Sequence, residues 1–401
     1  MKFKLFIFAL FALELLSCKQ EVFYNPNLES NANIDSLSLE LVWEKPLDST
    51  FQKIKIFPYV VGENIIHTYD FGLDQILVYR NGKTGDEIKK IVFHDLIYPP
   101  NATVYNDKLL YCSIKSMVLL DPQTEVFNYL YVSPEMRFLN DRFKLFNDIV
   151  VTNENTFQAG DSLNRIIATN INTRKGKVLY ANKMNTSRNY FFGNPQIWID
   201  EIGDTILTVG REIINSASSP ANLVSYNISK NTILFDMTFA YNTVNLYDNF
   251  ICYKNKIYLK KDVLGVVCLD GKTGKSIWSQ TIYDARSGGQ DMFLMGERLI
   301  VISPSPDKKV VSFDIETGAV QWTNNKVPFF KDNTNLILVN NIIYFGNGDF
   351  IYGIDVKTGV LLKKQRITKG QNHLISNISY SEKNKLFYAI DSNFIKALRM
   401  K

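Results

Sequence analysis

Few side chains in this sequence are spaced for catalysis. The three histidines, His67, His94 and His373, form no i, i+4 pair, so spacing offers neither a helical metal pair nor a histidine-centred triad. Cys112, Cys252 and Cys268 sit in the apolar runs LLYCSI, NFICYK and VVCLD without Cys-x-x-Cys spacing, which predicts buried packing rather than metal or redox chemistry. Asp35-Ser36, Asp48-Ser49, Asp161-Ser162 and Asp204-Thr205 read as turn or capping dipeptides. Gly288-Gly289 opens no helix and makes no phosphate loop. The expectation is a protein that is not an enzyme, with no catalytic residue, metal or cofactor. Binding chemistry remains, in two sets. Arg188, Tyr190, Phe191, Phe192, Arg211, Arg286, Phe329, Phe330 and Lys331 combine the aromatic and cationic types that dominate interface hot spots; their alternative role is to fold inward over strand ends. Asn101, Asn194, Asn242, Gln290, Asn333 and Asn372 open innermost strands and would ring the mouth of a central channel, where their amides would bind a polar ligand such as a sugar, or, the favoured reading, cap turns.

The elements that must position these residues announce themselves by repetition. VVCLDGKTGKSIW at 266–278 returns as VVSFDIETGAVQW at 310–322, and complete anchors of the form Asp/Asn-x-x-Thr-Gly begin at Asn81, Asp270, Asp314 and Asp355. Degenerate copies begin at Asp121, Asn170 and Asn227. A repeat of roughly 40–60 residues indicates a propeller or a solenoid. The physical unit is a hairpin: Asp or Asn bonds its own backbone two residues on, and Gly supplies the positive φ that ends the turn. Upstream of each anchor lies another strand pair, as in VYNDKLLYC (104–112), WIDEIGDTILTV (198–209), FLMGERLIVI (293–302) and LILVNNIIYF (336–345). Each repeat therefore has four strands, A to D.

Seven anchors give seven units, and HLISNISYS to FIKALRM begins an eighth that lacks its fourth strand. LVWEKPL at about 41–47, with Trp43 placed as Trp278 and Trp322 are in other D strands, supplies it. The prediction is an all-β, eight-bladed β-propeller of four-stranded blades spanning 41–401, its ring closed by the N-terminal strand so that no sheet edge stays open between the first and last blades. Because strand direction alternates, the A–B and C–D turns emerge on one face. The other face carries the long connections, including 153–164, 184–193, 211–222, 283–290 and 325–332, and both candidate binding sets.

The N-terminus, MKFKLFIFALFALELLSCKQ, has the charged start and apolar run of a signal peptide (1–17). Leu15-Leu16-Ser17-Cys18 resembles a bacterial lipobox, which implies acylation of Cys18 and membrane attachment; Glu14 departs from the pattern. Residues 18–40 then form a flexible polar tether. The formal net charge of +5 falls by one with the leader, and the cations are scattered between strands, so nucleic acid is not an expected partner.

The strand-turn-strand pattern with Asp, Thr-Gly and Trp resembles the repeat of the pyrroloquinoline-quinone-type propellers, the quinoprotein alcohol dehydrogenase-like superfamily. The resemblance covers about 41–401 and is strongest over 264–366. That superfamily's enzymes hold their cofactor with a vicinal cysteine disulfide and a calcium site; this sequence has no Cys-Cys pair and no clear acidic counterpart of the calcium site. With its lipobox the chain most resembles the lipoprotein-propeller family of the outer-membrane β-barrel assembly machine. The resemblance implies a non-catalytic protein-interaction scaffold, monomeric within a complex of envelope proteins, lipid-anchored at the outer membrane and facing the periplasm or the cell surface. A receptor for glycans and a quinone-dependent redox protein are the alternatives.

Overall fold

The computed structural model describes residues 38–48, 57–71, 74–93, 97–113, 115–133, 137–156, 163–183, 190–192, 195–213, 221–239, 244–245, 250–261, 265–281, 291–303, 309–326, 335–362, 365–367, 374 and 377–401. They fold into eight antiparallel sheets arranged as blades of a ring, an eight-bladed β-propeller, and no helix occurs among them. Blade 1 runs from Tyr59 to Phe93, blade 2 from Ile97 to Val132, blade 3 from Arg137 to Lys183 and blade 4 from Tyr190 to Phe239. Blade 5 runs from Val244 to Thr281, blade 6 from Asp291 to Asn324 and blade 7 from Ile337 to Arg366. Blade 8 takes three strands from Ser379–Met400 and its outermost strand from Leu39–Pro46.

Strands B and C are buried on both faces, as in Ser116–Asp121 and Gly265–Asp270, because each blade is covered by a neighbour on either side. This is why they read as continuous apolar runs rather than alternating ones. The core is correspondingly divided into eight layers between successive blades, such as Leu109, Tyr111 and Val118 against Ile66, Leu77 and Ile91 between blades 1 and 2.

The closing strand covers Leu39–Pro46, two residues earlier in its start than the sequence predicts, and pairs antiparallel with Phe394–Met400. The shift arises because Leu39 has its own partners: it packs in the layer between blades 7 and 8, and its backbone N–H and carbonyl are both bonded by the Gln365 side-chain amide of blade 7. On the other side Trp43 reaches blade 1. Lys396, 2% exposed, sits between Asp391 (2.7 Å), Glu44 of the closing strand (3.1 Å) and the Ile367 carbonyl (2.8 Å). One terminal strand thus ties blades 7, 8 and 1 together.

Candidate partner-binding face

The face carrying the short turns is built from the anchor residues. Asp270, Asp314 and Asp355 each accept two backbone N–H bonds from the residues two and three positions on, at 2.7–3.1 Å. Gly274, Gly318 and Gly359 close the turns with φ of 70–72°. In the degenerate copies Glu125, Arg174 and Asn231 take the same left-handed conformation at φ 56–62°. Several A–B hairpins turn through two left-handed residues, Asn106-Asp107, Lys254-Asn255 and Asn340-Asn341, the geometry that matches strand twist in two-residue hairpins.

Several D strands dock on the next blade's turn through one socket. Trp322 lies over Gly359, where a Cβ would come within 2.4 Å of the indole, and donates to the Val356 carbonyl at 3.0 Å. Trp278 lies over Gly318 and donates to the Ile315 carbonyl (3.2 Å), and Trp43 lies over Gly85 and donates to the Gly82 carbonyl (2.9 Å). Phe235 stands in the same register against Gly274. Blade 1 instead presents Lys89, which bonds the Gln123 carbonyl and pairs with Glu125 (3.0 Å), the residue at the glycine position of blade 2. Other pairs cross between turns here: Lys45–Asp86, Lys254–Glu297, Lys272–Asp200, Lys256–Glu316 and Lys383–Asp107. This face largely satisfies its charges internally.

The opposite face is less regular. In blade 4 the innermost strand is split: Gln196–Ile199 pairs with Thr205–Thr208, and a separate segment, Tyr190–Phe192, pairs with Arg211–Ile213 at the far end of the same neighbour. Pro195 stands before the second piece and lacks the N–H that would continue the ladder. The pairing puts Phe192 directly opposite Arg211, with Phe191 opposite Glu212 and Tyr190 opposite Ile213. Blade 4's second strand (Thr205–Ile213) and blade 3's pair Ile149–Thr156 and Leu163–Asn170 are longer than blade 7's Ile342–Asn347 and Phe350–Asp355, so the sheets of blades 3 and 4 extend further on this face. Four of the nine aromatic and cationic candidates are thereby brought onto one strand pair. Arg188, Arg286, Phe329, Phe330 and Lys331 lie outside the described residues. Of the amides, Asn101 falls on strand Ile97–Tyr105, whose pairing is irregular between Ile97 and Ala102. Asn194, Asn242, Gln290, Asn333 and Asn372 lie outside the described residues, as do Cys18, His94 and His373.

Two polar groups escape sequence reasoning because nothing in their spacing marks them. Glu154, fully buried between blades 2 and 3, accepts from Tyr131 Oη (2.6 Å) and Ser133 Oγ (2.8 Å), with Arg165 at 3.9 Å. His67, fully buried beside Tyr69, accepts from Arg80 Nε at 3.0 Å through Nε2. Burial, then the nearby cation Arg80, push the His67 pKa down to about 3, so the ring is a neutral acceptor at ordinary pH. Cys112, Cys252 and Cys268 carry free thiols, and burial pushes Cys252 and Cys268 up to about 12, the opposite of a reactive thiolate. Among the described residues no group of three or more His, Cys, Asp and Glu is placed to hold a metal ion.

Comparison with known proteins follows the same lines. Residues 253–384 match the family model described as outer membrane protein assembly factor BamB. The crystal structure of BamB from Moraxella catarrhalis superposes with a TM-score of 0.55 at 14% identity, over 90% of this chain and 100% of that one. A europium-containing methanol dehydrogenase superposes with a TM-score of 0.58 at 11% identity, covering 88% of this chain and 84% of that one. The quinohemoprotein alcohol dehydrogenase from Comamonas testosteroni gives 0.56 at 10% identity, over 90% and 76%. At such identities the likeness is one of fold. The tetrathionate hydrolase of Acidithiobacillus ferrooxidans is 32% identical over 130 residues, 27% of this chain and about a quarter (26%) of that protein's length. The chain is an eight-bladed β-propeller that is similar to the BamB family model over 253–384 and to BamB and the quinoprotein dehydrogenases in fold over most of its length.

Proposed function

We propose that the protein is a non-catalytic scaffold that holds partner proteins at the bacterial envelope, with a part in outer-membrane protein assembly such as the name of its BamB relatives carries. The observation that carries this reading is the contrast between the faces. One pairs most of its charges between the turns and strands of the ring, whereas the other presents an added strand, Tyr190–Phe192, in register with Arg211–Ile213 on the extended sheet of blade 4. Aromatic residues and arginine in register on a strand pair are well suited to protein recognition. The buried, neutral His67 and the thiols of high pKa supply no nucleophile or base, which supports a binding role over a redox one. In this reading the leader 1–17 is removed, acylated Cys18 anchors the chain in the outer membrane, the segment from Cys18 to the closing strand at Leu39 is the tether, and the propeller faces the periplasm.

The test is site-specific photo-cross-linking in intact cells. A photoreactive residue at Phe192 should trap an envelope protein, and one at Lys385, exposed on the short-turn face, should not. Equal trapping from both positions, or none from Phe192, would remove the proposal's basis.

A further inference from the structure

On the short-turn face a cleft of about 250 Å³ opens between blades 2 and 3. Its location follows from the socket described above. Trp322 and Trp278 pair with the residues two positions before their own anchors, Ser312 and Cys268. In blade 2 the corresponding pairing sets Asn128 opposite Leu119, so a carboxamide stands where other junctions place an indole. The glycine position of blade 3 holds Arg174, whose guanidinium donates to Asn128 Oδ1 at 2.6 Å. The floor that an indole covers elsewhere is here Leu119, Leu130 and Ile171, each under 8% exposed, and all three line the cleft. Ile171 follows its anchor as Val356 and Ile315 follow theirs, and those two carbonyls receive the tryptophan N–H bonds.

The cleft's charges are not equivalent. Lys108 is held by Asp121 at 3.3 Å, and Asp148, beside the cleft, already accepts from Tyr105 and Asn172. Arg174 has no carboxylate of the described residues within ion-pair distance, in contrast to Lys89, which the preceding junction matches with Glu125. An apolar floor with an unneutralised guanidinium and an amide at its lip suits a ligand with an apolar body and one carboxylate. We propose that the blade 2–3 junction is a binding site for a small carboxylate carrying an aromatic or aliphatic body. The body rests on Leu119, Leu130 and Ile171, and the carboxylate accepts from Arg174, displacing or sharing Asn128. This site lies on the face opposite the proposed partner strand and is independent of that reading.

The test is ligand-observed NMR titration of the detergent-solubilised full chain with 3-phenylpropionate. Saturable binding is expected, weaker by about tenfold for the neutral 3-phenylpropanamide and for R174Q, as loss of one charge-assisted contact implies. The double variant N128W/R174G, which rebuilds the indole–glycine dock, should abolish binding while raising Tm. Absence of saturable binding to the unsubstituted chain, equal binding of acid and amide, or undiminished binding to R174Q would overturn the proposal.

Discussion

Two blade junctions built on the same backbone show how this ring is held. Between blades 6 and 7, Trp322 is laid over Gly359 and its N–H is spent on the Val356 carbonyl. Between blades 1 and 2 the equivalent strand position is Lys89 and the equivalent turn position is Glu125. The first junction depends on a large apolar body and on a residue with no side chain beneath it; the second joins two long side chains in partial contact with solvent. The two positions belong to different blades yet their residue types are matched, so Thr-Gly and Trp form one contact across the junctions of blades 5–6, 6–7 and 8–1. The stretch matched by the BamB family model, 253–384, contains the turns of blades 5, 6 and 7 and both Trp278 and Trp322. Two indole–glycine junctions, blades 5–6 and 6–7, lie there and a third, Trp43 on Gly85, closes the ring; the junctions of blades 1–2 and 2–3 depart from the pairing.

The largest effects should fall on the indole junctions. Trp322→Ala should cost about 3–5 kcal/mol, as for other buried aromatic truncations. Gly359→Ala should be of similar severity, because its Cβ meets the indole at 2.4 Å and its φ is +72°. Urea denaturation of the protein reads both. A comparable loss, about 3–5 kcal/mol, is expected for Lys396→Met, which leaves Asp391 and Glu44 at the closing seam without their cation.

Next comes a dependence on pH at the junction of blades 8 and 1. His67 is held neutral down to about pH 3 in the fold but takes up a proton near 6.5 when unfolded. Below about 6.5 the unfolded chain therefore binds the extra proton, and stability falls as pH drops through this window, by up to about 1.4 kcal/mol per unit. His67→Gln should flatten that slope between about pH 6.5 and 3 while leaving the midpoint at pH 8 much less affected. A slope identical in both proteins would show that the histidine titrates normally in the folded state.

The smallest effect is expected at the charged junction. Lys89→Ala should cost under about 1 kcal/mol and less still at high salt, since the pair is partly exposed.

Much of this was legible in the sequence, and the reason is chemical. The turn anchors are Asp or Asn followed by a residue free to adopt positive φ, a local requirement that composition reveals, so blade count and ring closure follow from Asn81 to Asp355 and from Trp43. What the indoles touch is not local: Trp322 meets a turn 34 residues later in the chain, and Asn128 and Phe235 carry no motif to identify them as occupants of the same socket. Lys396 is similar, an ordinary lysine in FIKALRM until Glu44 arrives from the other end of the chain. The candidate binding face was legible only in outline. Tyr190, Phe191, Phe192 and Arg211 appear in sequence as loop residues, and it is the split inner strand of blade 4 that brings them into register.

The claim that indole–glycine and lysine–glutamate are alternative fillings of one socket is tested most directly by a double-mutant cycle on Lys89→Trp and Glu125→Gly. Each single substitution should destabilise, the first by forcing an indole onto a side chain and the second by removing the partner of Lys89. The double variant, measured by urea denaturation, should recover the original stability or exceed it, with a coupling of about 1–3 kcal/mol. Simple additivity of the two losses would contradict the shared socket.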